Sequence, residues 1–157
     1  GIDNIDIAAA TRKGVVVMNT PDANTISAAE HTMALLLSLA RNVSYGHQSI
    51  LSGNWDRHKF IGSELRAKTL GIIGLGKIGR EVMQRALGFN MKILGYDPFI
   101  KEDILRSGEI ELHDLNELVE QSDFITIHIP LTNDTKNLFD YSMLCRMKKE
   151  ARIIKNK

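Results

Sequence analysis

The chain has 157 residues, 43% of them hydrophobic and 25% charged, the proportions of a soluble globular domain with a substantial core. A net charge of +1 argues against nucleic acid as the main partner, and the longest apolar run, over 33–37, is far too short to cross a membrane. Cys145 is the only cysteine, which excludes a disulfide framework and a cysteine-based zinc site and points to the reducing cytoplasm.

The first residues, Gly-Ile-Asp-Asn-Ile-Asp, carry neither a basic leader region nor an initiator Met, which suggests a piece of something longer. An alanine-rich helix is predicted from Asp6 to Arg12, ended by Gly14. Val15, Val16 and Val17 read as a short β-branched strand, broken by Asn19-Thr20-Pro21-Asp22. Ser27 and Glu30 have capping-box spacing, so a long helix is expected from there to about Leu51. Its apolar residues, among them Ala29, Met33, Leu36, Leu37, Leu39 and Val43, cover most of its girth. Such a helix is expected to pack against a second subunit as well as its own sheet. Glu30 and His31 are read as a cap and a satisfied helix histidine. The polar arm over 52–59 holds the sole tryptophan, Trp55, expected to anchor it by packing. Its basic cluster, Arg57, His58 and Lys59, is a solvated loop or a set of cations for an anionic substrate.

The stretch Leu70-Gly-Ile-Ile-Gly-Leu-Gly-Lys-Ile-Gly-Arg organises the rest. Leu70, Ile72 and Ile73 form a buried strand, and Gly74, Gly76 and Gly79 give the spacing G-x-G-x-x-G before a helix begins at Lys77. The first glycine permits a tight turn, the second lets backbone approach a pyrophosphate, and the third lets helix pack close to strand. Phosphate oxygens can accept from the N–H groups at the helix N-terminus. A second strand, Met91 to Tyr96, ends in Asp97, 18 residues beyond Gly79 (97 − 79). A carboxylate there accepts from both hydroxyls of an adenosine ribose and repels a 2′-phosphate, so NAD is favoured over NADP.

A short helix over 101–107, a strand from Glu109 to Leu112 and a helix begun by Asp114 follow. The strand from Asp123 to Ile129 ends at Pro130, which places Ile129, Pro130 and Thr132 at the crevice of Gly76 and Asp97. His128, inside the strand pattern, reads as structural. Asp140 caps a helix to about Met147 that carries Cys145, expected to be half-buried, and Ala151 to Ile154 form a last strand. Five strand–helix alternations with short loops predict an α/β fold, a doubly wound parallel sheet of Rossmann type, incomplete at both ends.

Several motifs together resemble the D-isomer-specific 2-hydroxyacid dehydrogenases: Met-Asn-Thr-Pro with Asn-Thr-Ile-Ser-Ala-Ala-Glu-His, Gly-Ile-Ile-Gly-Leu-Gly-Lys-Ile-Gly-Arg-Glu, Gly-Tyr-Asp-Pro-Phe and Ile-His-Ile-Pro-Leu-Thr. The arm from Gly53 to Leu65 is most similar to the branch that oxidises 3-phosphoglycerate at the entry to serine biosynthesis. The resemblance implies that residues 1–20 are a remnant of a substrate domain and 21–157 an NAD-binding domain lacking its last strands. It implies that Gly74, Gly76, Lys77, Ile78 and Gly79 hold the pyrophosphate of NAD, Asp97 the adenosine ribose, and Ile129 and Pro130 the adenosine side of the crevice. The helix over 27–51 and its arm would form a homodimer or tetramer contact. The family's catalytic Arg would be the residue after Lys157, with its Glu and His further on, so no catalytic residue is assigned and the fragment is expected to be inactive alone. No metal site is implied.

Two other activities share these features: a hydroxypyruvate or glyoxylate reductase, and an NAD-sensing, corepressor-like interaction module. Departures from the family pattern are Asp22 and Ala67 in place of glycine, Asn90 in place of a helix-ending glycine, and Lys155, which with Lys157 makes the last three residues doubtful as native sequence.

Overall fold

The computed structural model describes residues 4–20, 23–100 and 108–156. Five strands, β1 (Thr69–Ile73), β2 (Lys92–Tyr96), β3 (Glu111–Leu112), β4 (Phe124–Ile127) and β5 (Arg152–Ile154), form one sheet in the order β3-β2-β1-β4-β5. Every pairing is parallel. Helices α1 (Ile7–Arg12), α2 (Thr25–Arg41), α3 (Val43–Leu51), α4 (Lys77–Gly88), α5 (Leu115–Gln121) and α6 (Tyr141–Arg146) lie between and before them. This is the doubly wound sheet that the alternation predicts. The chain leaves β1 towards β2 and β3, then returns to add β4 on β1's other side. The strand order therefore reverses at β1, and the crevice opens there.

A parallel sheet must be covered on both faces, because its crossovers put helices on each. One face packs against α2 and α4 through Met33, Leu36, Leu70, Ile72, Val82 and Phe124. The other packs against α5 through Ile73, Leu94, Leu118, Val119 and Ile125, with Met143 of α6 half-buried against it. Neighbouring residues of β4, Phe124 and Ile125, thus serve opposite faces. Three aspartates start helices as N-caps, Asp6, Asp114 and Asp140 accepting from Ala9, Glu117 and Met143. Asp123 does similar work between strands. It accepts from the Thr69 N–H at 2.8 Å and from the Lys148 ammonium at 3.0 Å, joining the starts of β1 and β4.

The structure corrects several local expectations. Residues 15–17 are extended but form no strand, with Val15 and Val16 exposed. A strand exists only through its ladder, and none of the described strands pairs with this stretch. The capping box does not form. The helix starts two residues earlier, at Thr25, and the Ser27 hydroxyl donates back to the Asn24 carbonyl. Glu30 faces Arg85 of α4 at 3.9 Å instead of reaching back to a cap. The single long helix is two, broken where Asn42 takes a left-handed conformation at φ 54°. Asn is one of the few side chains that tolerates that region. Only one stripe of α2 is buried, Ala29, Thr32, Met33, Leu36 and Ala40, while Leu39 is exposed. Trp55 is 79% exposed, so it does not anchor the arm within the protomer. Cys145 is exposed rather than half-buried. Ala67, like Asn90, holds the positive φ of the glycine it replaces, which strains that turn. The helix expected over 101–107, and Asp22 and Lys157, lie outside the described residues.

Two outcomes follow from this packing. Leu36→Ala empties a fully buried position and should cost about 2–5 kcal/mol in denaturant unfolding, whereas Leu39→Ala should change stability by less than about 1 kcal/mol in the monomer. Burial alone would raise the Asp123 carboxyl. The Thr69 N–H and the Lys148 ammonium outweigh it and hold the carboxyl below its ordinary range. Its contribution is therefore present above the ordinary carboxylate range and lost as pH falls through the depressed native value. Asp123→Asn should lower stability at neutral pH and flatten that acid limb of the unfolding curve.

Candidate dinucleotide-binding site

β1 delivers Gly74 to the carboxyl edge of the sheet at the switch point. Its φ of 93° suits glycine, and its N–H donates to the Tyr96 carbonyl at 2.8 Å. A side chain there would also meet Ile129 Cγ2 at 2.9 Å. Gly79, one turn into α4, faces the carbonyl oxygen of Gly74, which any Cβ at position 79 would overlap. The third glycine therefore sets how closely α4 lies on β1, as its spacing suggests. Gly76 differs from both. It is exposed at the N-terminus of α4 as the N-cap residue, without a side chain to make a capping bond, and among the described residues a Cβ on it would meet nothing within 4 Å. Among the described residues, fold packing does not demand glycine at 76. Lys77 begins α4 and is exposed, while Ile78 is half-buried against the α2–α4 side of the core.

Asp97 sits at the end of β2 and is held from two sides. One carboxylate oxygen accepts from the Leu75 N–H at 2.8 Å, the other from the Phe99 N–H at 2.9 Å. The second is the Asx turn expected of Asp before Pro98. The first ties β2 to the middle of the glycine turn and was not legible in the sequence. A carboxylate has about four lone-pair directions, so two stay available to a diol.

Ile129 packs beneath the glycine turn, against Gly74. Pro130 is exposed and, with Ile129, Leu131, Phe139 and Lys155, lines a largely apolar cavity of about 310 Å³ at the ends of β4 and β5. Neither Gly76 nor Asp97 lines that cavity, and nor does Thr132. His128 is mostly buried. Its backbone N–H donates to the Ile73 carbonyl at 2.7 Å, and its ring Nε2 has no hydrogen-bond partner. Burial, assisted by the charge on Lys155, lowers its pKa to about 4, so the ring is neutral at physiological pH. A second cavity of about 540 Å³ lies between the start of α2 and the end of β5, lined by Asn24, Ser27, His31, Lys155 and Asn156 among others. Sequence reading did not bring these residues together. Among the described residues no group of acidic, histidine or cysteine side chains could hold a metal ion, and no helix is long and apolar enough to cross a membrane.

An all-parallel sheet that reverses at β1, a glycine turn opening a helix at that point, and a carboxylate closing β2 define a dinucleotide-binding domain. Residues 33–156 match the family model for the D-isomer specific 2-hydroxyacid dehydrogenase, NAD binding domain, and the chain belongs to that family. It is 50% identical over 155 residues to D-3-phosphoglycerate dehydrogenase of Methanocaldococcus jannaschii, covering 98% of this chain and 30% of that one. Among solved structures it resembles NAD-dependent formate dehydrogenase from Staphylococcus aureus in complex with NAD, with a TM-score of 0.85 and 39% identity. That likeness covers 99% of this chain and 46% of the other. A glyoxylate reductase from Paecilomyes thermophila gives a TM-score of 0.86 at 32% identity, over 99% of this chain and 47% of that one. The chain thus spans less than a third of the curated relative and about half of the structural ones.

Because the native His128 ring resists protonation, the unfolded chain binds its proton first. Stability should fall as pH drops from about 6.5 towards 4 and level off below, as far as this group decides it. Denaturant unfolding at neutral pH and near pH 5 should show a smaller loss in His128→Gln than in the parent chain.

Proposed function

We propose that this chain is the NAD-binding part of a D-3-phosphoglycerate dehydrogenase, which oxidises 3-phosphoglycerate to 3-phosphohydroxypyruvate. The observation that carries cofactor binding is the pairing of two groups across β1 and β2. Gly76 opens the α4 terminus with no side chain of its own to cap it, and the Asp97 carboxylate is fixed beside it through Leu75. In this reading Gly74, Gly76, Lys77, Ile78 and Gly79 form the pyrophosphate cradle. Asp97 accepts from the adenosine ribose, and Ile129 and Pro130 support the adenosine side. NAD supplies hydride acceptance when bound; the chain's own residues bind and orient it. The preference for phosphoglycerate over hydroxypyruvate or glyoxylate rests on the higher whole-chain identity to a phosphoglycerate enzyme, 50% against 32% for the glyoxylate reductase.

We assign residues 1–20 to the substrate domain and 21–157 to the NAD-binding domain. α1 buries no residue and the extended stretch after it is exposed, which suits a segment whose partner lies elsewhere. The arm supports a homodimer or tetramer. Val43, Tyr45, Leu51, Trp55 and Ile61, all on α3 and the arm that follows, are large apolar residues left exposed. A single unpaired cysteine suits the cytoplasm.

Calorimetric titration tests this directly. NAD should bind more tightly than NADP, and Asp97→Asn should narrow that gap; tighter binding of NADP by the parent chain would overturn the role of Asp97. Gly76→Ala should weaken NAD at least tenfold while changing stability by less than about 1 kcal/mol, since among the described residues its Cβ meets no protein atom. Gly79→Ala should instead destabilise the fold by roughly 1–3 kcal/mol, the cost of overpacking.

A further inference from the structure

We propose that His113, clamped between Glu111 and Glu117 where β3 ends, sets how sharply the Asp97 site rejects a 2′-phosphate. A charged ring relaxes the preference for NAD over NADP, and a neutral ring tightens it. This deepens the preceding reading and rests on it for the place of the adenosine ribose.

The position comes from the ladder. β3 pairs with β2 through Leu94 and Glu111, then Gly95 and Leu112, and the His113 N–H continues it by donating to the Gly95 carbonyl at 3.0 Å. The next rungs set His113 beside Tyr96 and Asp114 beside Asp97. With strands about 4.8 Å apart and a rise of about 3.3 Å per residue, the His113 and Asp97 backbones stand about 6 Å from each other. Their side chains leave on opposite faces. The ring goes with Tyr96 to the α5 side, and the Asp97 carboxylate goes to the Leu75 N–H of the glycine turn. His113 therefore acts on the ribose site through its field and not by contact.

The chemistry of the clamp supplies that field. Nδ1 lies 3.0 Å from a Glu117 oxygen and Nε2 3.5 Å from a Glu111 oxygen. Only the imidazolium can donate to both, since a neutral ring has one N–H. The Glu117 hydrogen bond is the largest cause holding the ring's pKa above its ordinary value; partial burial opposes it and Glu111 adds to it. Among the described residues no cation is among the charges that act on the ring. The remaining titratable neighbours are Tyr96 and Asp97 of β2 and Asp114, whose carboxylate accepts from the Glu117 N–H at 2.9 Å. Protonated, the corner sets one cation against Glu111, Glu117 and Asp114; neutral, it leaves those carboxylates unopposed. NAD places only ribose hydroxyls beside Asp97, whereas NADP brings a phosphate there. One unit of charge about 10 Å from that phosphate changes its binding about two- to fivefold at low salt, and less once the screening length falls to about 8 Å.

Calorimetric titration of the full chain with NAD and with NADP, from about pH 6 to about pH 8.5 at low ionic strength, tests this. The 2′-phosphate loses its own proton near a pH of about 6, so His113→Gln provides the baseline. Across the range, the NADP-to-NAD ratio of dissociation constants should rise about two- to fivefold more in the parent chain than in His113→Gln. The midpoint of that extra rise should match the titration of the His113 ring followed by NMR. His113→Lys, which stays charged throughout, should keep the weaker discrimination at every pH, and Glu117→Gln should move the midpoint down. High salt should shrink the rise. Circular dichroism checks that each variant folds, and Glu117→Gln carries the test with the ring in place. A parent ratio that tracks His113→Gln at every pH, or a rise that salt leaves intact, would overturn this inference while NAD binding stands. A chain that binds no NAD overturns the site reading itself, and this inference with it.

Discussion

The carbonyl oxygen of Gly74 occupies the space where a side chain at position 79 would have to be, and the rest of the site depends on that contact. It brings α4 down onto β1, so that the helix starts directly where the strand ends. The turn between them then has no slack, and Leu75, buried within it, directs its N–H at Asp97. That bond to the Asp97 carboxylate, with the Gly74 N–H donating to the Tyr96 carbonyl, couples the ends of β1 and β2. The helix terminus and the carboxylate thereby hold their relative position. Among the described residues, position 76, between the two packed glycines, leaves room for a side chain where positions 74 and 79 do not.

The order of elements was legible in the sequence because the signals were strong and mutually consistent. Apolar β-rich runs alternate with amphipathic stretches, aspartates stand at three helix starts, and the glycine spacing sits at a strand-to-helix junction. The observed strands overlap the predicted stretches: β1 begins one residue earlier, at Thr69, and β2 and β4 are shorter by a residue or more at their ends. The positions of Gly74, Gly76, Gly79 and Asp97 followed from spacing alone, since parallel topology leaves few ways to arrange a βαβ unit. The Leu75–Asp97 tether was not legible, because a backbone donor carries no side-chain signature.

Where the reading failed, a local pattern had a tertiary competitor. Ser27 and Glu30 have the spacing of a capping box, yet Arg85 on α4 offers the glutamate a partner, and the helix begins earlier, at Thr25. The run from 25 to 51 is apolar enough to read as one helix, but the chain turns at Asn42. Beyond that break the arm folds back. The Ser63 N–H donates to the Ala40 carbonyl at 2.7 Å, so the orphaned end of α2 is satisfied by the chain that left it. Gly62 makes this approach possible, as a side chain there would overlap the same carbonyl. Val15 to Val17 failed for the opposite reason: β propensity without a neighbouring strand yields extended chain and no ladder.

The edge of the sheet at β4 and β5 also explains how one short strand end faces two cavities. In the observed register Ile125 pairs with Ile153 and Thr126 with Ile154, so the next steps set Ile127 beside Lys155 and His128 beside Asn156. Alternate residues leave on opposite faces. Lys155 goes towards Ile129 and the apolar cavity, Asn156 towards α2 and the polar one. A slip of one residue would exchange them and put the ammonium on the α2 face, against the buried His128 ring. The Asn156–Ala28 hydrogen bond opposes that slip by fixing β5 to α2 where the ladder ends. His128 is consistent with the same arrangement. Its ring remains neutral, because it is buried and has a cation nearby.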